Sequence, residues 1–133
     1  MDYNQLCSEI LSLDGKVRYA GVYNTTNGKI YEKVQSGITR YLDQEQTNNS
    51  LIQATMRWKT RQQYSSTIGQ PVYAMAKYTK INRFTMPCGT NALLLVNTEP
   101  DLEPHTIIDD VIKLIEKFSD DPNYNPRSPY LSF

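Results

Sequence analysis

Two cysteines and one histidine are the main candidates for covalent or metal chemistry in this chain of 133 residues. Nucleophilic catalysis needs a nucleophile, a base within hydrogen-bond reach and a third group that orients the base. Cys7 sits among the apolar residues of the N-terminal stretch and reads as core filling. Cys88 lies in a Pro87-Cys88-Gly89 turn, where exposure would make it reactive, but no basic residue adjoins it. His105 opens an amphipathic stretch whose helix N-terminus disfavours an imidazolium, and it reads as a surface residue. Separations of 81 and 17 positions between these three residues match no zinc-binding spacing. Gly15, Gly21, Gly28, Gly37, Gly69 and Gly89 form no phosphate-cradling loop, and none leads into Gly-Lys-Ser/Thr. The expectation is a chain with no catalytic residues, no metal site and no cofactor.

Charge is the more informative pattern. Fourteen basic residues balance fourteen acidic ones. From Gln46 to Thr98, however, there is no carboxylate, while Arg57, Lys59, Arg61, Lys77, Lys80 and Arg83 are all cationic. From Glu99 to Asp121 the sign reverses, with eight carboxylates against Lys113 and Lys117. Arg57, Trp58, Lys59, Arg61 and Tyr64 interleave cations with aromatics, which raises nucleic-acid binding as an alternative. Helical spacing places Arg57 and Arg61 opposite Trp58, and zero net charge falls short of a basic footprint, so a solvated basic face is favoured.

The elements that hold these residues follow from periodicity. Residues 2 to 13 fit a short amphipathic helix capped by Asp2, with Leu6, Cys7 and Ile10 on its apolar arc. Val17 to Tyr23 and Lys29 to Gln35 read as a hairpin, with Asn27-Gly28 supplying residues that tolerate positive φ. Asp43-Gln44-Glu45-Gln46 has capping-box character and opens a long helix to about Tyr64. Residues 51 to 58 carry apolar side chains over an arc of roughly 200°, wider than a helix on one surface needs, so two sides should be covered. Three strands follow: Val72 to Tyr78, Ile81 to Met86, and the uninterrupted apolar run Ala92 to Val96, which should be central. Pro104 starts a final helix to Phe118, and residues 119–133 form an irregular, proline- and tyrosine-containing tail. The expected organisation is a single domain over 1–118 followed by that tail. No run approaches the eighteen or so apolar residues of a membrane span, and the first residues lack the pattern of a signal peptide, so a cytoplasmic location is expected.

This order of elements, together with Val17 to Gly28 and the apolar Ala92 to Val96 ahead of the last helix, resembles the roadblock / dynein light chain family of the longin- and profilin-like group. Asp14 to Val22, Ile68 to Tyr73 and Leu94 to Glu99 are similar to small archaeal proteins of roadblock type. The resemblance implies an α+β fold: a five-stranded antiparallel sheet in the order 2-1-5-4-3, the long helix on one face and the terminal helices on the other. It also implies a homodimer formed through the long helix and third strand, acting as a scaffold that binds or regulates a small GTPase. On that reading Ile52, Met56, Trp58, Val72, Tyr73 and Met75 would form the dimer interface, and Arg57, Arg61 and Lys80 would meet an acidic partner. A small-molecule sensor is a further alternative, with Tyr19, Tyr23, Tyr73 and Met75 as pocket lining.

Overall fold

The computed structural model describes the whole chain, Met1 to Phe133. Its first helix, α1 (Tyr3–Leu11), begins where the Asp2 carboxylate accepts the Gln5 amide, and it buries Leu6, Cys7 and Ile10. β1 (Val17–Asn24) and β2 (Ile30–Val34) then pair as an antiparallel hairpin. The turn differs from a two-residue Asn-Gly connection. Only Gly28 has positive φ, at 71°, and the hairpin closes where Asn24 donates to the Lys29 carbonyl. The Asn24 side chain accepts the amides of Thr26 and Asn27, so the local polar side chain folds a four-residue loop and Asn27 never needs the left-handed region.

The long helix α2 (Gln44–Gln62) starts at the anticipated place, with a complete capping box between Asp43 and Gln46. A single turn, α3 (Ser65–Ile68), follows, a segment without apolar periodicity in the sequence. Three strands complete the sheet: β3 (Ala74–Lys77), β4 (Asn82–Pro87) and β5 (Ala92–Thr98). β3 is shorter than Val72 to Tyr78. It lies at the sheet edge and pairs only with β4, through Ala74↔Thr85 to Lys77↔Asn82. The last helix, α4 (Pro104–Phe118), has Pro104 in its first turn and Glu103 as its cap.

The strand order is β2-β1-β5-β4-β3, all pairings being antiparallel. β5 is central, as its apolar run requires: Leu93, Leu94 and Leu95 are all enclosed, each contributing about 2 kcal/mol of apolar burial. Alternation divides the strands between two layers. Ala20, Val22, Phe84, Met86, Leu94 and Val96 pack against α1 and α4. Tyr19, Leu93 and Leu95 face the other way, beneath Leu51, Ala54 and Trp58 of α2. The basic long helix and the acidic final helix therefore cover opposite faces. Residues 119–133 contain no helix or strand, yet Leu131 is fully buried with Trp58, Ala54 and Leu93. The Gln62 carboxamide holds Leu131 at both backbone groups, donating to its carbonyl at 3.0 Å and accepting its amide at 2.8 Å.

Candidate interaction surface

The wide apolar arc of α2 is divided by the fold. Leu51, Ala54 and Trp58 turn inward, whereas Ile52 and Met56 stand outward, 43% and 58% exposed. Trp58 is enclosed within a single chain, so it supports the helix from beneath and offers nothing to a second copy. Tyr73 and Met75 are exposed along the β3 edge, and Val72 is half-buried against the α1/α4 core. Met75 pairs with Phe84, which faces α1 and α4; Ile52 and Met56 belong to the α2 layer. The anticipated interface residues thus lie in separate places: Ile52 and Met56 outward on α2, Val72, Tyr73 and Met75 along the β3 edge segment, and Trp58 enclosed beneath the helix.

Arg57, Arg61 and Lys80 are exposed, as the sequence suggests. Arg61 is not opposite Trp58, since its guanidinium carbon lies 5.9 Å from the Trp58 ring centroid. Arg57 and Arg83 share a groove between α2 and the β3–β4 edge, lined also by Ser50, Gln53, Ala76 and Tyr78. Arg83 points into the α2 layer because it alternates with Phe84 along β4. There Nε donates to Asn97 Oδ1 at 3.1 Å and Nη1 to Ser50 Oγ at 2.6 Å. Burial, with the Arg57 charge nearby, holds its pKa below the ordinary arginine value.

The six cations from Arg57 to Arg83 make no ion pair with any carboxylate in the chain. All but Arg57 meet rings or a carbonyl instead: Lys59 meets Phe133, Arg61 Trp58, Lys80 Tyr41, Arg83 Tyr78, and Lys77 the Pro100 carbonyl at 2.9 Å. Four of the eight carboxylates in the acidic segment pair with cations of the chain. Glu99 pairs with Arg18, Asp101 with Lys16 at 2.7 Å, Asp109 with Lys113 and Arg127, and Asp120 with the N-terminal amine. Arg18 was not legible as structural: it lies in a register shift of β1, almost fully buried, donates to the Thr39 carbonyl and stacks 4.4 Å from the Tyr41 centroid.

The residues first weighed for chemistry remain apart from this surface. Cys7 and Cys88 are free thiols buried in the α1/α4 core, and burial pushes the Cys7 thiol up to about 12 and the Cys88 thiol further still. Cys88 is therefore enclosed despite its turn sequence. His105 is exposed beside Glu103, 2.9 Å away. Tyr19 and Tyr23 lie beneath α2 on β1, while Tyr73 and Met75 lie at the far β3 edge, so the four tyrosine and methionine side chains line no common pocket. No helix is long and apolar enough to cross a membrane.

These layers and strand order define the roadblock/LC7 fold. A roadblock/LC7 domain from Streptomyces avermitilis superposes with a TM-score of 0.69 at 12% identity, over 88% of this chain and 94% of that one. MglB of Myxococcus xanthus gives 0.66 at 13% identity, over 88% and 90% of the two chains. An MglB solved in a tetrameric arrangement gives 0.69 at 14% identity, over 85% and 82%. No protein-family model matches the sequence, and no curated protein is significantly similar to it.

Proposed function

We propose that the protein is a non-catalytic interaction module that pairs with a second copy through α2 and the β3 edge and presents its basic surface to an acidic protein partner. The observation that carries this reading is the exposure of Ile52 and Met56 on α2, together with that of Tyr73 and Met75 at the unpaired β3 edge. Apolar side chains of that size, left in water on the long helix and at an unpaired sheet edge, gain by burial against a like surface. The fold likeness to roadblock/LC7 and MglB proteins, one of them solved as a tetramer, agrees with self-association. A small GTPase is the partner class that the roadblock resemblance implies, and the uncompensated cations Arg57, Arg61 and Lys80 would meet its acidic surface.

Light scattering on the wild type and on Met56→Asp tests the pairing. A wild-type dimer that becomes a folded monomer on substitution supports it; a wild-type monomer overturns it. Nucleotide exchange and hydrolysis by small GTPases of the same organism, with and without the protein, test the partner class.

A further inference from the structure

We propose that the groove between α2 and the β3–β4 edge, with Arg83 on its floor and Arg57 on its wall, is the docking site for an extended acidic segment of a different protein. This rests on the interaction-module reading and gives the partner a chemistry and a place.

Arg83 is half withdrawn from water, yet its two hydrogen-bonded acceptors, Asn97 and Ser50, are both neutral. A guanidinium in that setting has lost hydration without gaining a counter-ion. Its Nη2 donates to no acceptor in the chain, so the outer part of its fork is available to a carboxylate, which forms short, charge-assisted bonds with arginine. Arg57 lines the same groove and repels Arg83, so one anion seated between them relieves both charges. Gln53 and Asn49 on the α2 wall offer carboxamides suited to a peptide backbone, and the short Ala76 opposite leaves the groove open.

The occupant's source follows from charge. Half of the carboxylates from Glu99 to Asp121 are engaged by the chain's own cations, and the acidic helix α4 covers the opposite sheet face, where it does not reach the groove of its own chain. A second copy paired through α2 and the β3 edge would bring its basic face to the groove and not its α4. Nucleic acid is the poorer fit. Base stacking needs open ring faces, but the Tyr41 ring carries Arg18 and Lys80 at 4.4 and 5.5 Å, and the Tyr78 ring carries Arg83 at 5.8 Å.

Fluorescence anisotropy with a fluorescein-labelled decaglutamate peptide, in parallel with a labelled oligothymidylate, tests the site on the full chain at low salt. The expected result is saturable peptide binding, weakened about tenfold in both Arg57→Gln and Arg83→Gln and unchanged in Lys33→Gln, which removes the same charge elsewhere. Arg57 is exposed, so its variant keeps the test valid should Arg83→Gln fail to fold. No peptide binding, equal weakening in Lys33→Gln, or tighter binding of the oligothymidylate overturns the proposal. Light scattering on the same samples separates the two ideas. A dimer that ignores the peptide overturns the groove alone, whereas a monomer that binds it through Arg57 overturns the pairing alone.

Discussion

The ring of Tyr19 lies across Gly21, two residues on along the same strand, so that a β-carbon at position 21 would stand 2.7 Å from the tyrosine Cζ. The glycine is there for its missing side chain and not for backbone freedom, since its φ is negative. The ring is fixed from above by Leu51 and at its tip by a 2.6 Å hydrogen bond from the phenol to Glu32. Gly21→Ala should therefore cost about 2 kcal/mol through overpacking, measured as a shift in urea midpoint. Tyr19→Phe, which removes only the hydrogen bond, should cost about 1 kcal/mol.

Leu131 should behave as a core residue although it lies in a segment without regular structure. Leu131→Ala leaves a space beside Trp58 and should destabilise the fold by about 3 kcal/mol. Trp58 is the only tryptophan, so intrinsic fluorescence reports the change directly. Native emission should be blue-shifted in the wild type and move towards longer wavelength in the variant.

The N-cap of α4 makes a pH-dependent contribution. The Glu103 carboxylate accepts the amides of Thr106 and His105, and those bonds pull its pKa down from 4.5 to about 2. A folded pKa below the unfolded one means that this contribution is complete above pH 4.5 and is lost as pH falls towards 2. Carboxyl chemical shifts followed by NMR should give a Glu103 midpoint near 2. The difference in Tm between wild type and Glu103→Ala should narrow over the same window.

Both thiols should resist modification in the native state. Cys7 and Cys88 are wholly enclosed, and burial disfavours the thiolate that reacts. Titration with Ellman's reagent should find neither thiol without denaturant and both in its presence, with native-state kinetics following unfolding.

Much of the fold was legible because its period and its boundary chemistry agreed. Asp43 and Gln46 announce the start of α2, Pro104 the start of α4, and the unbroken Ala92 to Val96 run a strand covered on both faces. Periodicity cannot say which part of a wide apolar arc meets the chain's own sheet. Trp58 and Met56 therefore looked alike as surface candidates, and only the packing of Leu93 and Leu131 separates them. Leu131 stands outside any periodic pattern, and its segment is anchored at several separate points: Leu131, Pro126 and Pro129 are buried and Tyr124 packs on the α1/α4 core. Arg83 was visible only as one cation among several, although its alternation with Phe84 and pairing with Asn97 on β5 fix it on the α2 face.

β5 lies between β1 and β4, although those strands precede it in the chain. Val22 meets Leu94, and Phe84 meets Val96, but β1 and β4 share no edge of their own. On a ribosome, the two hairpins would emerge with no strand pairing between them until residues 92–98 arrive. Assembly of the sheet is thus gated by one late segment that closes long-range pairings, which makes folding slow for the chain's size. A chaperone that shields the β1 and β4 edges during that interval would find its target in the nascent chain and lose it once β5 has inserted.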